Sequence, residues 1–250
     1  MLKKILAWFR PADRIDPIIF CQERAAVREA LAPRHPAADA TALDAMILEQ
    51  LPWALDALIY DDRFTPEQLG CISALISSYP DHPARLEQLL DKARLKFRIM
   101  EELEAHRAPS CGYEDELSFT LDDDENPIWQ WHDVTILASH KPMVLGVDVL
   151  TDCGCVTKVS DQLLTKKKSE DFITPEALNF ARIEGNDILV TDRHLYIKSD
   201  RAYDKVPHDL LITKHIDSKG FVISTLALRG RVLIFRINDP NFMNLVMNQY

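Results

Sequence analysis

Close to Ala108-Pro109 the chain changes the spacing of its apolar residues. Before that point they recur every three to four positions, as on one face of a helix. After it they gather in short β-branched runs separated by Gly, Pro and Asp. The two periods put apolar side chains on different faces, so a helix-period stretch does not settle as strands, nor the reverse. The sequence therefore predicts an α+β chain with its helices first and its strands after. A helical bundle is expected over 1–108, an acidic linker over 109–126 and a β-domain over 127–250. A length of 250 residues accommodates that division.

Within the first part, Leu43, Met46, Ile47, Gln50, Leu51, Ala54, Leu55, Leu58 and Ile59 hold helical spacing. Pro52 falls inside that run, and a kink or two shorter helices are expected there. The next helix has a readable start. Thr65 is the N-cap, Pro66 takes the first position, and Gln68 completes a capping-box pattern. Leu69, Ile72, Ile76 and Tyr79 form its apolar stripe. A longer helix after Pro83 carries Leu86, Leu89, Leu90, Ala93, Phe97, Met100 and Leu103 on one face.

From Ala108 to His140 there is no Lys or Arg, while Glu114, Asp115, Glu116, Asp122, Asp123, Asp124, Glu125 and Asp133 are acidic. That composition predicts a linker with solvated carboxylates. Strands are expected at Val134–Leu137, Val144–Leu150, Ile188–Val190, Leu195–Ile197, Phe221–Ile223 and Val232–Ile237, with hairpin turns at Thr191–His194 and Arg229–Arg231. Asp239 and Pro240 open a last helix with a stripe of Phe242, Leu245, Val246 and Tyr250. Six or seven strands closed by one helix is the order of a small antiparallel β-sandwich or open barrel.

Charge and cysteine usage exclude several classes. With 29 Lys+Arg against 39 Asp+Glu the formal charge is −10, which argues against a general nucleic-acid binder. No apolar run is long enough for a membrane span. Five scattered cysteines, Cys21, Cys71, Cys111, Cys153 and Cys155, suit a reducing cytoplasm better than a disulfide framework. With 7 Gly in the chain no glycine-rich phosphate loop exists.

The run Gly185-Asn186-Asp187-Ile188-Leu189-Val190-Thr191-Asp192-Arg193-His194-Leu195-Tyr196-Ile197 resembles the central hairpin of the pleckstrin-homology-like (PH-like) superfamily, in particular its bacterial and GRAM-type branches. The similarity continues through Lys205-Val206-Pro207, through Ser218-Lys219-Gly220-Phe221-Val222-Ile223 and into the terminal helix. Ser218 stands where those families have an acid, with one residue extra. The resemblance covers Ile183–Tyr250 well. Upstream, Ala57 to Leu69, with Asp61-Asp62-Arg63-Phe64-Thr65-Pro66-Glu67-Gln68 at its centre, resembles the helix–loop–helix of TerB-like domains. Here Asp62 replaces a Gly and Gln68 replaces a Glu, which removes one carboxylate from the set to which TerB-like metal binding is ascribed. The pair of resemblances implies a non-enzymatic protein working in assemblies or at a membrane, although fold alone fixes no activity.

Candidate sites each have a plainer counterpart. Met1–Arg10 places Leu2, Ile5, Leu6, Trp8 and Phe9 on one helical face and Lys3, Lys4 and Arg10 opposite. Such a helix meets an anionic membrane or partner, or docks its apolar face on the bundle. Lys166, Lys167 and Lys168 form the one compact basic run, either a lipid-facing loop or a solvated one diluted by Asp161, Glu170 and Asp171. Asp61 and Asp62, with Asp56 and Glu67, are the best hard-cation group, yet the loop lacks the Gly and alternation calcium sites use. Cys153-Gly154-Cys155 has no second pair to complete a zinc site. His132-Asp133 could orient an imidazole, but no nucleophile motif accompanies it, and His194, His208 and His215 suit strand edges or turns.

The expected function is thus a cytoplasmic adaptor or scaffold that binds a protein partner through its β-domain, with anionic membrane as a second target and no nucleic acid. No catalytic residue, metal ligand or cofactor is assigned. The partner- or membrane-binding residues are expected to be Lys3, Lys4, Ile5, Trp8, Phe9, Arg10, Lys166, Lys167 and Lys168. The alternative is a hydrolase or nuclease-like enzyme whose site is assembled from dispersed Asp, Glu and His.

Overall fold

A computed structural model describes residues 15–109, 117–139, 180–200, 202–217, 220–225 and 231–250. Contacts divide the chain into two units, the first ending at Phe97 and the second beginning at Arg98. The fold class is α+β as expected.

Among its described residues the first unit has a 3-10 helix, Pro17–Cys21, then α1 (Arg24–Leu31), a 3-10 turn at Ala32–Arg34, α2 (Ala40–Ile59) and α3 (Pro66–Ser77); α4 (Ala84–Glu104) crosses the boundary. The Thr65 capping box forms in full: Gln68 N donates to Thr65 Oγ1 at 3.3 Å and Thr65 N donates to Gln68 Oε1 at 3.0 Å. Of the two expectations at Pro52, the division into shorter helices does not occur, because α2 runs as one helix through it. An interior proline costs ~3 kcal/mol or more. Leu51, Leu55 and Ile59 around it are fully buried, and at roughly 1.5–3 kcal/mol each their burial outweighs that loss.

Two polar knots fix this core. Asp44 on α2 accepts from Arg24 and Arg28 of α1 and, at 3.0 Å, from the Tyr79 hydroxyl beyond α3. Arg24 also lies over the Tyr79 ring, 4.2 Å from its centroid. Lys96 of α4 is buried and donates at 2.5 Å to the Ile59 carbonyl, an acceptor that the end of α2 leaves without a helical partner.

The second unit holds β1 (Pro127–Ser139), β2 (Phe180–Thr191), β3 (His194–Lys198), β4 (Tyr203–Pro207), β5 (Leu211–Asp217), β6 (Gly220–Thr225), β7 (Arg231–Arg236) and a closing helix α5 (Pro240–Gln249). They make one antiparallel sheet in the order β4-β3-β2-β1-β7-β6-β5. Its two edge strands are neighbours in the chain, joined only by the 3-10 turn His208–Leu210. Seven strands laid flat would put their edges ~29 Å apart at ~4.8 Å per step. Three linking residues reach ~14 Å at most. The sheet must therefore curl on itself into a half-barrel.

α5 fills the concave side. Phe242 lies edge-on to Trp129 at 5.3 Å and tilted to Trp131 at 5.9 Å, and Trp131 Nε1 donates to the buried Asp239 Oδ1 at 2.9 Å. The buried face of α5 is Phe242, Met243, Val246 and Met247, whereas Leu245 and Tyr250, expected in the stripe, are only half-buried. Methionine is unbranched and adapts to irregular gaps, so the helix turns its two methionines inward. The expected strand Val144–Leu150 and the turn residues Arg229-Gly230 lie outside the described residues.

Candidate functional site

The hairpin β2–β3 aligns Leu189 with Tyr196 and Val190 with Leu195. Alternation then puts Thr191, Leu189, Asp187, His194, Tyr196 and Lys198 on the convex face, with Tyr203 and Lys205 beside them on β4. Residues 117–126 lie across this face as a strap. Phe119 packs on Tyr196 and Tyr203 at ring distances of 5.8 and 6.1 Å, while Lys198 Nζ donates to Ser118 O at 2.6 Å and the Tyr203 hydroxyl to Thr120 O at 3.1 Å.

Glu125 is the centre of the strap. Its side chain is wholly buried, contrary to the expected solvated linker. Oε1 accepts from Thr191 Oγ1 and, at 2.8 Å, from His194 Nδ1; Oε2 accepts from the Tyr196 hydroxyl at 2.5 Å and from Asp122 N at 3.2 Å. Burial alone would raise its pKa. The Thr191 and Tyr196 hydroxyls and the His194 ring overcome that and hold the carboxyl down to about 2. Burial and the facing carboxylate push the Tyr196 phenol well above its ordinary range. At neutral pH Glu125 is a fixed anion and Tyr196 a fixed donor.

One oxygen or nitrogen each from Asp122, Glu125 and His194 lie within 4.8 Å of one another, the donor types of a divalent-metal site. The donor count decides against that use. Both oxygens of Glu125 already take two hydrogen bonds each, and Asp122 is paired with Lys205. An ion would have to displace Thr191 or Tyr196 from a buried carboxylate, at the cost of leaving that hydroxyl unsatisfied. The arrangement pins the strap to the hairpin.

A second polar group lies along the same face. His132 Nδ1 is 3.2 Å from Asp187 Oδ1, and Ser118 Oγ donates to Asp187 Oδ2 at 3.0 Å. The residue types are those of a Ser-His-Asp triad, but Ser118 faces the carboxylate and not the imidazole. The hydroxyl–imidazole hydrogen bond through which such a triad activates its serine is therefore not made. The adjoining Asp133, at φ 56°, sits in a β1 bulge whose carbonyl at Val134 accepts from the buried Asn186 at 2.8 Å; the imidazole is aimed by this bulge.

In the helical unit Asp61 is committed to Arg63. Arg63 N and Nε donate to Asp61 Oδ1 at 2.8 and 3.0 Å, and Nη2 to Oδ2 at 2.7 Å. The guanidinium stands where a hard cation would. Lys3, Lys4, Ile5, Trp8, Phe9, Arg10, Lys166, Lys167, Lys168, Cys153 and Cys155 lie outside the described residues.

The described sheet has two edge strands, β4 and β5. β4 is short, ends at Pro207 and carries Lys205, all devices that discourage pairing. β5 is seven residues long, with Leu211, Ile212 and Ile216 half-buried along it. Among the described residues no strand pairs with its outer edge. Behind it Lys214 Nζ donates to Met247 O at 2.6 Å, tying β5 to the end of α5.

No family model matches the chain, and no curated protein matches it.

The importance of Glu125 was hidden in the sequence. Its three side-chain donors are 66 to 71 residues away. The only local signal is register: once Pro127 is paired with Thr191, Glu125 must lie beside that threonine.

Proposed function

We propose that the β unit is a PH-like binding module and that the protein is a cytoplasmic adaptor which takes an extended segment of a protein partner on β5. The observation that carries this reading is the outer edge of β5, with which no strand among the described residues pairs. Main-chain groups on an unpaired edge supply affinity, and alternate side chains supply selectivity. The strand order, the short link between the edges and the closing helix all accord with the PH-like reading of Ile183–Tyr250. The TerB-like reading of the helical unit is supported by the Thr65 capping box and by the Asp61 turn ahead of it. Among the described residues, the filled carboxylate of Glu125 and the Ser118 hydroxyl turned to Asp187 favour the binding reading over the enzyme alternative. No helix among the described residues is long and apolar enough to cross a membrane.

The test is a photocrosslinking amino acid at Ile216, with the same group at Arg94 on α4 as control. Adducts formed in the native cell should appear from Ile216 and not from Arg94. With the identified partner purified, amide exchange of β5 should slow on binding. Adducts from both positions alike, or unchanged β5 exchange in the complex, would refute the edge-binding reading.

A further inference from the structure

At the corner where β4 passes into β5, His208 begins the 3-10 turn that joins the two edge strands of the sheet. The residue is turned inward and is only 8% exposed. Its ring Nε2 lies 2.9 Å from the Thr191 carbonyl at the end of β2, and its backbone N donates to Arg193 O at 3.1 Å in the β2–β3 turn. Tyr250 stacks on the imidazole, with ring centroids 5.4 Å apart and planes 18° from parallel. We propose that His208 is a proton-operated pin: its neutral ring holds the β4–β5 turn against the β2–β3 turn, and protonation in mild acid releases it.

A carbonyl only accepts, so Nε2 carries the ring proton and Nδ1 of the neutral ring is a bare acceptor. Among the described residues Nδ1 has no hydrogen-bond partner. A second proton there would create a buried N–H and a buried charge with no acceptor to receive them. The charged side chains around the corner are already committed. Asp192 accepts from Asn126 N and Nδ2, Arg193 donates to Asp123 O, and His194 is bonded to Glu125. Lys205 of β4 is paired with Asp122, and Lys214 Nζ of β5 donates to Met247 O. Burial first, then Lys214 and His194, hold His208 below the ordinary histidine range, against the Thr191 carbonyl and Asp192. The Tyr250 phenol, pushed up to about 12 by burial, stays neutral; its ring face favours a cation but gives Nδ1 no acceptor. An opened corner, with the imidazole in water, therefore binds the proton more tightly than the closed one. Closure is strongest above about pH 6.5 and weakens as pH falls below it. Release of the turn also frees the start of β5, a consequence for partner binding that rests on the β5-edge proposal.

The experiment uses the free full chain without a partner, so its outcome does not depend on whether β5 takes one. Amide protection at position 208 and along β4 and β5, corrected for the intrinsic pH dependence of exchange, is followed from pH 7.5 to pH 5.5 in wild type and H208Q. Glutamine keeps a donor for the Thr191 carbonyl and does not titrate. In wild type, protection of the 208 amide should begin to fall near about pH 6.5 and approach about tenfold per pH unit, the slope of one proton. In H208Q it should stay level. Nitrogen NMR of the wild-type ring should show the Nε2–H tautomer at pH 7.5 and protonation only below the ordinary histidine range, a measurement that needs no variant and decides the case if H208Q does not fold. Level protection in wild type, an equal fall in both proteins, or a ring that protonates in the ordinary range while the corner stays protected would each overturn the proposal.

Discussion

Replacing Glu125 with Ala tests the strap most directly. The change removes a buried carboxylate and leaves three side-chain donors, Thr191, His194 and Tyr196, facing a cavity. Each stranded buried group costs ~1–3 kcal/mol, while the desolvation penalty of the anion is recovered. The net expectation is a loss of ~3 kcal/mol, in line with the 3–5 kcal/mol typical of breaking a buried charged pair. The pH dependence supplies an independent figure. Glu125 has its folded pKa depressed to about 2, so it stabilises the fold above its unfolded pKa, near 4.5. That contribution is lost as pH falls from there through about 2. A displacement of this size is worth ~3 kcal/mol, and the two routes agree. The assay is amide exchange of β2 and β3 in wild type and E125A between pH 7 and pH 3, since tryptophan emission would mix Trp8 and Trp53 with Trp129 and Trp131. Wild type should lose protection as the acid range is entered, and E125A should start weaker and change less. A loss below ~1 kcal/mol at pH 7, or equal acid sensitivity in both proteins, would refute the argument that Glu125 anchors the strap.

Asp44→Asn should cost the helical unit ~1.5–2.5 kcal/mol by urea denaturation, a figure discounted because both guanidiniums remain about a third exposed. Arg28 and Arg24 hold the Asp44 carboxyl well below its ordinary range, so this cost should fade below about pH 4. Gly220→Ala should unfold the β6–β7 pairing, at ~3 kcal/mol or more: at φ +135° an added Cβ falls 2.0 Å from the Phe235 carbonyl oxygen, and soluble yield with exchange of β7 amides will report it. Asp239→Ala strands the buried Trp131 Nε1 and should lower stability by ~1–3 kcal/mol with a shifted tryptophan emission. Saturating zinc or manganese should leave the thermal midpoint unmoved; a rise abolished by His194→Ala would show that the metal wins the Glu125 oxygens after all.

Local chemistry was legible in the sequence, and long-range chemistry was not. Thr65, Pro66 and Gln68 announced the start of α3 because a capping box is satisfied within four residues. Thr191 to His194 announced a hairpin for the same reason, and the α+β order followed from the change of period. The alternative of two helices at Pro52 fails because propensity weighs the backbone locally, whereas the burial of Leu51 and Leu55 that keeps α2 in one piece is tertiary. In the acidic stretch Asp122, Asp123 and Asp124 are exposed as expected, and Glu125 alone among the described acids there departs from that reading. The charge density of the stretch reads as solvent-facing, and only the fold brings Tyr196, Thr191 and His194 around Glu125. The α5 stripe was half right: Phe242 and Val246 are buried, but Met243 and Met247 replace Leu245, a choice made by the space beside the two tryptophans.

The position of β1 has a consequence for how this protein comes into being. β2-β3-β4 and β5-β6-β7 are meanders whose strands can pair soon after they are made. Among the described strands β1 alone pairs with both, through β2 on one side and β7 on the other, and it is synthesised before either. While translation continues, Ile136, Leu137 and Ala138 wait with one ladder unmade until Leu233–Arg236 leaves the ribosome. Closure of the half-barrel is therefore a late, non-local step, of the kind that folds in milliseconds to seconds rather than microseconds. A chain interrupted before β7 lacks the partner of residues Thr135–Ala138 of β1, and an unpaired strand edge of that kind favours aggregation.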